Sequence, residues 1–282
     1  MQKLETKKVI FWSSIHLFSL IGLIRLFLQD NKINILIRLF IWHHLAGIGI
    51  TAGAHRLWSH RSYKAKMPLQ FFLMILNSIA NQGTIIHWVR DHRTHHKFSD
   101  TEKDPHNSSN GFFYSHMGWL LIKKPKEVIE GGKTIDISDI LNNPVVQIQN
   151  KLNPYWNLMW CFVIPTIYGK YFLSNYFDSF LIFGIVRWVL ILHATWCVNS
   201  VAHLYGNHPY KNIPPGQSLI TSIVSCGEGW HNYHHVYPYD YATAEHGFLY
   251  EWNPTKLFID FFYLTGQVYN RKKVTNVKQF LN

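Results

Sequence analysis

Residues 91–96 read Asp91-His92-Arg93-Thr94-His95-His96, and the reading of the whole chain turns on them. On an α-helix, at about 100° per residue, the three histidines fall at roughly 0°, 300° and 40°. All three rings leave one face, an arrangement that can hold a transition metal. The same spacing recurs as His231-Asn232-Tyr233-His234-His235, and a third cluster runs from His55 to His60. The rest of the chain has to bring these distant places together.

His55 and His60 are five residues apart, about 140° round a regular helix. They can face one point only where a helix ends or bends. Asn199 and His203 are four apart, about 40° round, so they face one way. The candidate ligands are therefore His55, His60, His92, His95, His96, His203, His231, His234 and His235, with Asn199 as a water-holding partner. One metal takes four to six ligands, so this many imply two metals. Cys161, Cys197 and Cys226 form no C-x-x-C pair and read as small buried side chains. The donors are nitrogen and oxygen, which suits iron, copper or zinc. Asp91, Asp100, Asp104 and Glu228 are placed to orient the rings.

Hydrophobic residues make up 48% of the 282 and charged residues only 15%, against roughly 25% in soluble domains. Four apolar segments are long enough to cross a membrane: about 9–29, 33–52, 155–174 and 179–198. The stretch 69–80 is apolar but short, and reads as a cap helix. The first segment follows Lys3, Lys7 and Lys8, is too long for a signal peptide's apolar region and lacks a small-residue cleavage site. It is read as a retained membrane helix. Short turns join the spans into two hairpins, so both hairpins begin and end on one side. That side carries residues 53–154 and 199–282, most of the Lys and Arg, and every histidine cluster; the positive-inside bias makes it cytosolic. The expected fold is an all-α membrane protein of one domain, 1–282, with four transmembrane helices in two hairpins under a cytosolic helical cap. Arg25 and Arg38 flank the first turn and are expected to snorkel, and Arg187, deeper, to be structural. The net charge of +11 comes with no nucleic-acid fold signature, so nucleic acid is not a partner.

The motifs GAHRLWSHRSYKA (53–65), WVRDHRTHHKFSDTEKDPHN (88–107), GFFYSHMGWLL (111–121), ATWCVNSVAHLYG (194–206) and GEGWHNYHHVYPYDY (227–241) extend well beyond the histidines. Over roughly residues 40–250 the chain resembles the membrane fatty acyl-CoA desaturases of the stearoyl-CoA delta-9 type. The resemblance implies a multi-pass endoplasmic reticulum membrane protein with its active site on the cytosolic face. It implies two irons held in the cap by the nine histidines, one of them through water on Asn199. It also implies oxygen as co-substrate, cytochrome b5 as electron donor, and a cis double bond inserted into a saturated fatty acyl-CoA. The kinked acyl tunnel of that family maps onto Gln82, Trp88, Thr195 and Trp196. Its CoA contacts map onto Arg90, Lys123 and Lys124. Its closed end falls in span two, at Gly47 and His43, and a residue as small as Gly47 fits a chain of about 16 to 18 carbons. Only about eight residues precede span one, fewer than is usual in that family, where this segment touches CoA. A related di-iron hydroxylase would share the histidine boxes but insert oxygen, whereas a metal or haem carrier would need far fewer ligands.

Overall fold

The structure is a computed structural model that describes residues 3–248 and 250–277. Nearly all regular structure is helical. Helix α1 (Thr6–Phe27) turns into α2 (Lys32–Ser59), whose last part, Gly49–Ser59, is π-helical. Then come α3 (Met67–Ala80), α4 (Ile85–Phe98), the helical run α5 over 155–170, α6 (Tyr176–Leu204), α7 (His231–Val236) and α8 (Pro254–Leu264). Lys64–Ala65 and Val268–Tyr269 form a two-stranded antiparallel pair.

Helices α1, α2 and α6 are long and apolar enough to cross a membrane. Leu17, Leu20 and Ile24 of α1 and Ile37, Phe40 and Ile41 of α2 are exposed. Rows of exposed aliphatic and aromatic side chains on long helices are stable against lipid, not water. The chain is a multi-pass membrane protein.

The expected spans shift in three places. The second does not end near 52 but runs unbroken to Ser59, so the cap starts inside a spanning helix. The third, expected over 155–174, is helical only to Lys170. Residues 171–175 form a turn instead, because Asn175 caps the next helix by accepting from the Asp178 N–H at 2.8 Å. The fourth therefore begins at Tyr176 and runs to Leu204, longer than 179–198 at both ends.

Helices α3 and α4 meet at an 82° bend. Asn81 there adopts φ 45° and Gly83 φ 94°, left-handed values that end α3 and let the chain re-enter a helix capped by Thr84. Gly49 lets α2 lie directly on α3: a Cβ there would stand 2.2 Å from the Leu76 and Asn77 backbone. Arg187 is fully buried and donates to the carbonyls of Phe183, Ile79 and Cys161, tying α6 to α3 and α5. Near the far turns, Arg25 pairs with Asp178 and Arg38 donates to the Tyr168 hydroxyl. After α8 the chain straps back over the cap, where Lys272 N–H donates to Ser62 and its carbonyl accepts from Tyr241.

Candidate metal centre and cavity

The π-helical end of α2 resolves the five-residue spacing. A π-helix bonds i to i+5, and the His60 N–H donates to the His55 carbonyl at 3.0 Å. His55 and His60 thus sit one turn apart, with their rings edge to face and their centroids 4.7 Å apart.

All nine predicted histidines converge, in two groups. His55, His60, His92, His96 and His234 form one, and His95, His203, His231 and His235 the other; within each group, one ligand atom per ring lies within 4.8 Å of every other. The separation between Nε2 atoms is 3.0 Å for His55–His234, 2.8 Å for His60–His92 and 3.0 Å for His96–His234. In the second group it is 3.1 Å for His203–His231, 3.1 Å for His231–His235 and 3.4 Å for His95–His235. Nitrogens held at about 2.1 Å from a metal and at right angles stand about 3 Å apart, and tetrahedral ones about 3.4 Å. All six separations fall in the range that nitrogens sharing one ion would span.

The far ring nitrogens explain why the near ones are bare. His95 Nδ1 donates to Asp104 at 2.8 Å, His203 Nδ1 donates to Asp100 at 3.0 Å, and His55 Nδ1 lies 3.1 Å from Glu228. A proton held on Nδ1 leaves the Nε2 lone pair free. Lone pairs of several such rings converging without a proton between them repel unless a cation sits among them. The donor set therefore fits metal ions. Arg56, wholly buried, anchors Glu228 through Nε and a terminal nitrogen at 3.0 and 2.9 Å. Burial, and then the neighbouring rings, push His231, His234 and His235 well below the ordinary histidine range, so they stand neutral and ready to ligate. Burial opposes ionisation of Asp104 and Asp100, but His95 and His203 outweigh it and hold both carboxyls well below the usual range.

A cavity of about 340 Å³ runs beside the centre, lined by Gln82, Trp88, His92, Thr195, Trp196 and Asn199, among others. A smaller one of about 50 Å³ shares Trp88, His92, Thr195 and Asn199 and continues to Gly47. The shared residues mark where the two arms meet. A hydrogen-bonded chain fixes that junction: Trp88 Nε1 donates to Gln82 at 3.1 Å, and Gln82 donates to the Thr195 hydroxyl at 2.7 Å.

Other predicted residues fall elsewhere. His43 lies outside both cavities and reaches the Val224 carbonyl at 2.8 Å. The physical reason is Cys226, whose Sγ stands 2.5 Å from where a Gly47 Cβ would be, so the space closes at Gly47. Asp91 touches no ligand ring; it accepts from Lys124 at 2.7 Å and meets His87 at 2.9 Å on the rim of the larger cavity. Arg90 and Lys123 are exposed and outside the cavities. Sequence reasoning missed Arg56 and the buried His106, which lines the larger cavity 3.5 Å from Asp104. The signals were there: an arginine directly after a ligand, and a histidine two residues after an orienting aspartate. It also missed Trp12 of α1, which walls the larger cavity.

A family model described as fatty acid desaturase matches residues 34–252. The chain is 49% identical over 267 residues to the acyl-CoA Delta(11) desaturase of Trichoplusia ni, covering 94% of this chain and 75% of that protein. It is 44% identical over 276 residues to stearoyl-CoA desaturase 5 of Homo sapiens, covering 97% and 82%. It is 46% identical over 268 residues to the Delta(9)-fatty-acid desaturase fat-6 of Caenorhabditis elegans, covering 94% and 78%.

Proposed function

This chain belongs to the fatty acid desaturase family, and on that premise we propose that it is an acyl-CoA desaturase of fatty acid biosynthesis that inserts a cis double bond at the delta-9 position of a saturated acyl-CoA. The observation that carries this reading is the pair of cavities that share Trp88, His92, Thr195 and Asn199 beside the histidine groups. Their walls are aromatic and aliphatic, as an acyl chain requires. The named relatives support the substrate class.

The two groups would hold two iron ions, the first through His55, His60, His92, His96 and His234. The second would use His95, His203, His231 and His235, with Asn199 completing it through a water. Bound iron supplies the activation of oxygen and the removal of two hydrogens. The protein's own part is positional. Gln82, Trp88 and Thr195 hold the bend, so that two adjacent carbons of a flexible chain lie beside the centre. Asp104, Asp100 and Glu228 keep the protons on Nδ1. Trp196 and the apolar walls exclude water. Arg90, Lys123 and Lys124 serve the CoA phosphates; Lys124 is ready on the rim, held by Asp91. We place the protein in the endoplasmic reticulum membrane with its cap in the cytosol and cytochrome b5 as its electron donor.

The test is expression in a desaturase-deficient yeast with double-bond mapping of its fatty acids. Delta-9 alkenes lost on His95→Ala are expected. A hydroxy acid without an alkene would overturn the reading.

A further inference from the structure

We infer that the cap surface around His60 is the docking face for an acidic one-electron carrier protein, whose electrons enter the centre through the His60 ring. The inference rests on the desaturase reading. In that reaction oxygen becomes two waters, which takes four electrons. The acyl chain gives two as its two hydrogens leave and the C=C bond forms. Two more electrons, with two protons, must come from outside, one from each of two reduced carriers.

A carrier needs a route that the substrate does not fill. His60 is half-buried and lines a surface hollow of about 420 Å³ with Arg93, Lys97 and Tyr239. A second hollow, of about 720 Å³, joins it at Arg61 and includes Lys64 and Lys272. Neither shares a residue with the two acyl cavities. Carrier and acyl chain therefore approach through separate openings and can bind together.

The charge of this face selects the partner. Arg61, Lys64, Arg93, Lys97 and Lys272 line the two hollows against Asp136 and Asp139. Asp139 accepts two bonds from Arg61 at 2.7 Å and two from Arg93 at 2.9 Å. Arg93 also donates to the carbonyls of Trp58 and Ser59, just before His60. This network stiffens the platform and leaves Lys64, Lys97 and Lys272 exposed around it. Exposed ammonium groups round this floor, with Lys97 also donating to Thr134, suit a partner with carboxylates round its redox group. Such encounters are small, fast and salt-sensitive.

The experiment uses the full iron-loaded chain in detergent and the reduced soluble domain of cytochrome b5 as probe. Lys64→Glu/Lys272→Glu, with and without Lys97→Glu, is compared with wild type and with Lys151→Glu, an exposed lysine that lines none of these cavities or hollows, as a control away from this face. The expected result is a KM for the carrier raised about tenfold or more and a flattened salt dependence, as for lost electrostatic steering. Iron content and the KM for acyl-CoA stay as in wild type, and dithionite supports equal single-turnover product. A wild-type carrier KM in both variants, or an equal rise in Lys151→Glu, would overturn the docking face. Wild-type protein that carries iron yet yields no alkene even with dithionite would overturn the desaturase reading beneath it.

Discussion

Asp104→Asn should weaken one metal position and spare the other. The carboxylate sits among donors only. One oxygen accepts from His95 Nδ1 and from the Asp100 N–H, both at 2.8 Å, and the other from the His106 N–H at 3.1 Å. An amide offers one acceptor and one donor, so one end must confront an N–H. Turning its nitrogen toward His106 is the cheaper choice, since one donor is opposed and not two. A buried donor left unpaired costs about 1–3 kcal/mol of stability. His95 keeps a neutral acceptor in place of a carboxylate, and loss of such a partner lowers metal affinity by about 10- to 100-fold, or about 1.4 to 2.7 kcal/mol. The loss falls on the group of His95, His203, His231 and His235. The assay is iron retained per chain during dialysis against graded chelator. Wild type should release its iron at high chelator, and Asp104→Asn should release half of it at about 10- to 100-fold lower chelator strength. Release of both ions together, or an unchanged curve, would refute the assignment of Asp104 to a single group.

Gly47→Trp should shift the product profile toward shorter acyl chains, because any side chain there must displace Cys226 and fill the inner arm; gas chromatography of the products checks this, and an unchanged chain-length profile would count against Gly47 as the closed end. Thr195→Val keeps the volume but removes the acceptor for Gln82; turnover should fall by up to about 100-fold, as for loss of substrate positioning, with iron content unchanged. Metal-free protein should lose thermal stability as pH falls from about 7.5 to 5.5. His231, His234 and His235 have folded pKa values depressed well below 6.5, so below that pH the unfolded chain takes up more protons than the folded one. Asp100 and Asp104, depressed below 3.8, add a further loss only under about pH 4. An unfolding midpoint flat from pH 7.5 to 5.5 would contradict the buried neutral rings.

The convergence of the nine histidines was legible because helical spacing and topology are both written in the sequence. His92, His95 and His96 had to share a face, and two hairpins had to return every cluster to one side. The division into groups of five and four was not legible, since spacing fixes directions on one helix and not which neighbour each ring meets. The π-turn at His55–His60 was foreseen only as a bend or an end. Nothing in GAHRLWSH marks the i→i+5 bonding seen from the His60 N–H to the His55 carbonyl. Asp91 looked like an orienting carboxylate through its closeness to His92, yet it faces the rim and Lys124, about 100° away round the helix. The third span was drawn four residues too long because hydropathy continues past Lys170, and the Asn175 cap that starts the next helix is a local hydrogen bond that hydropathy does not register.

The division of the boxes has a mechanical consequence. In each H-x-x-H-H motif the i,i+4 pair goes to one group and the remaining ring to the other. On α4, His92 and His96 join the group of five while His95 joins the group of four; on α7, His231 and His235 join the group of four while His234 joins the group of five. The two histidine groups are thus spaced by the roughly 60° turn between neighbouring ring directions on two helices, not by loops. Rotating either helix would move ligands of both groups at once, so neither group adjusts without disturbing the other. A carboxylate such as Asp104 differs, because it acts on one ring alone. The centre is therefore rigid toward motions of its helices and tunable through its orienting acids. That is the combination a reaction on an unactivated chain needs, because the chain offers no polar handle at the reacting carbons and the protein must supply all of the positional constraint.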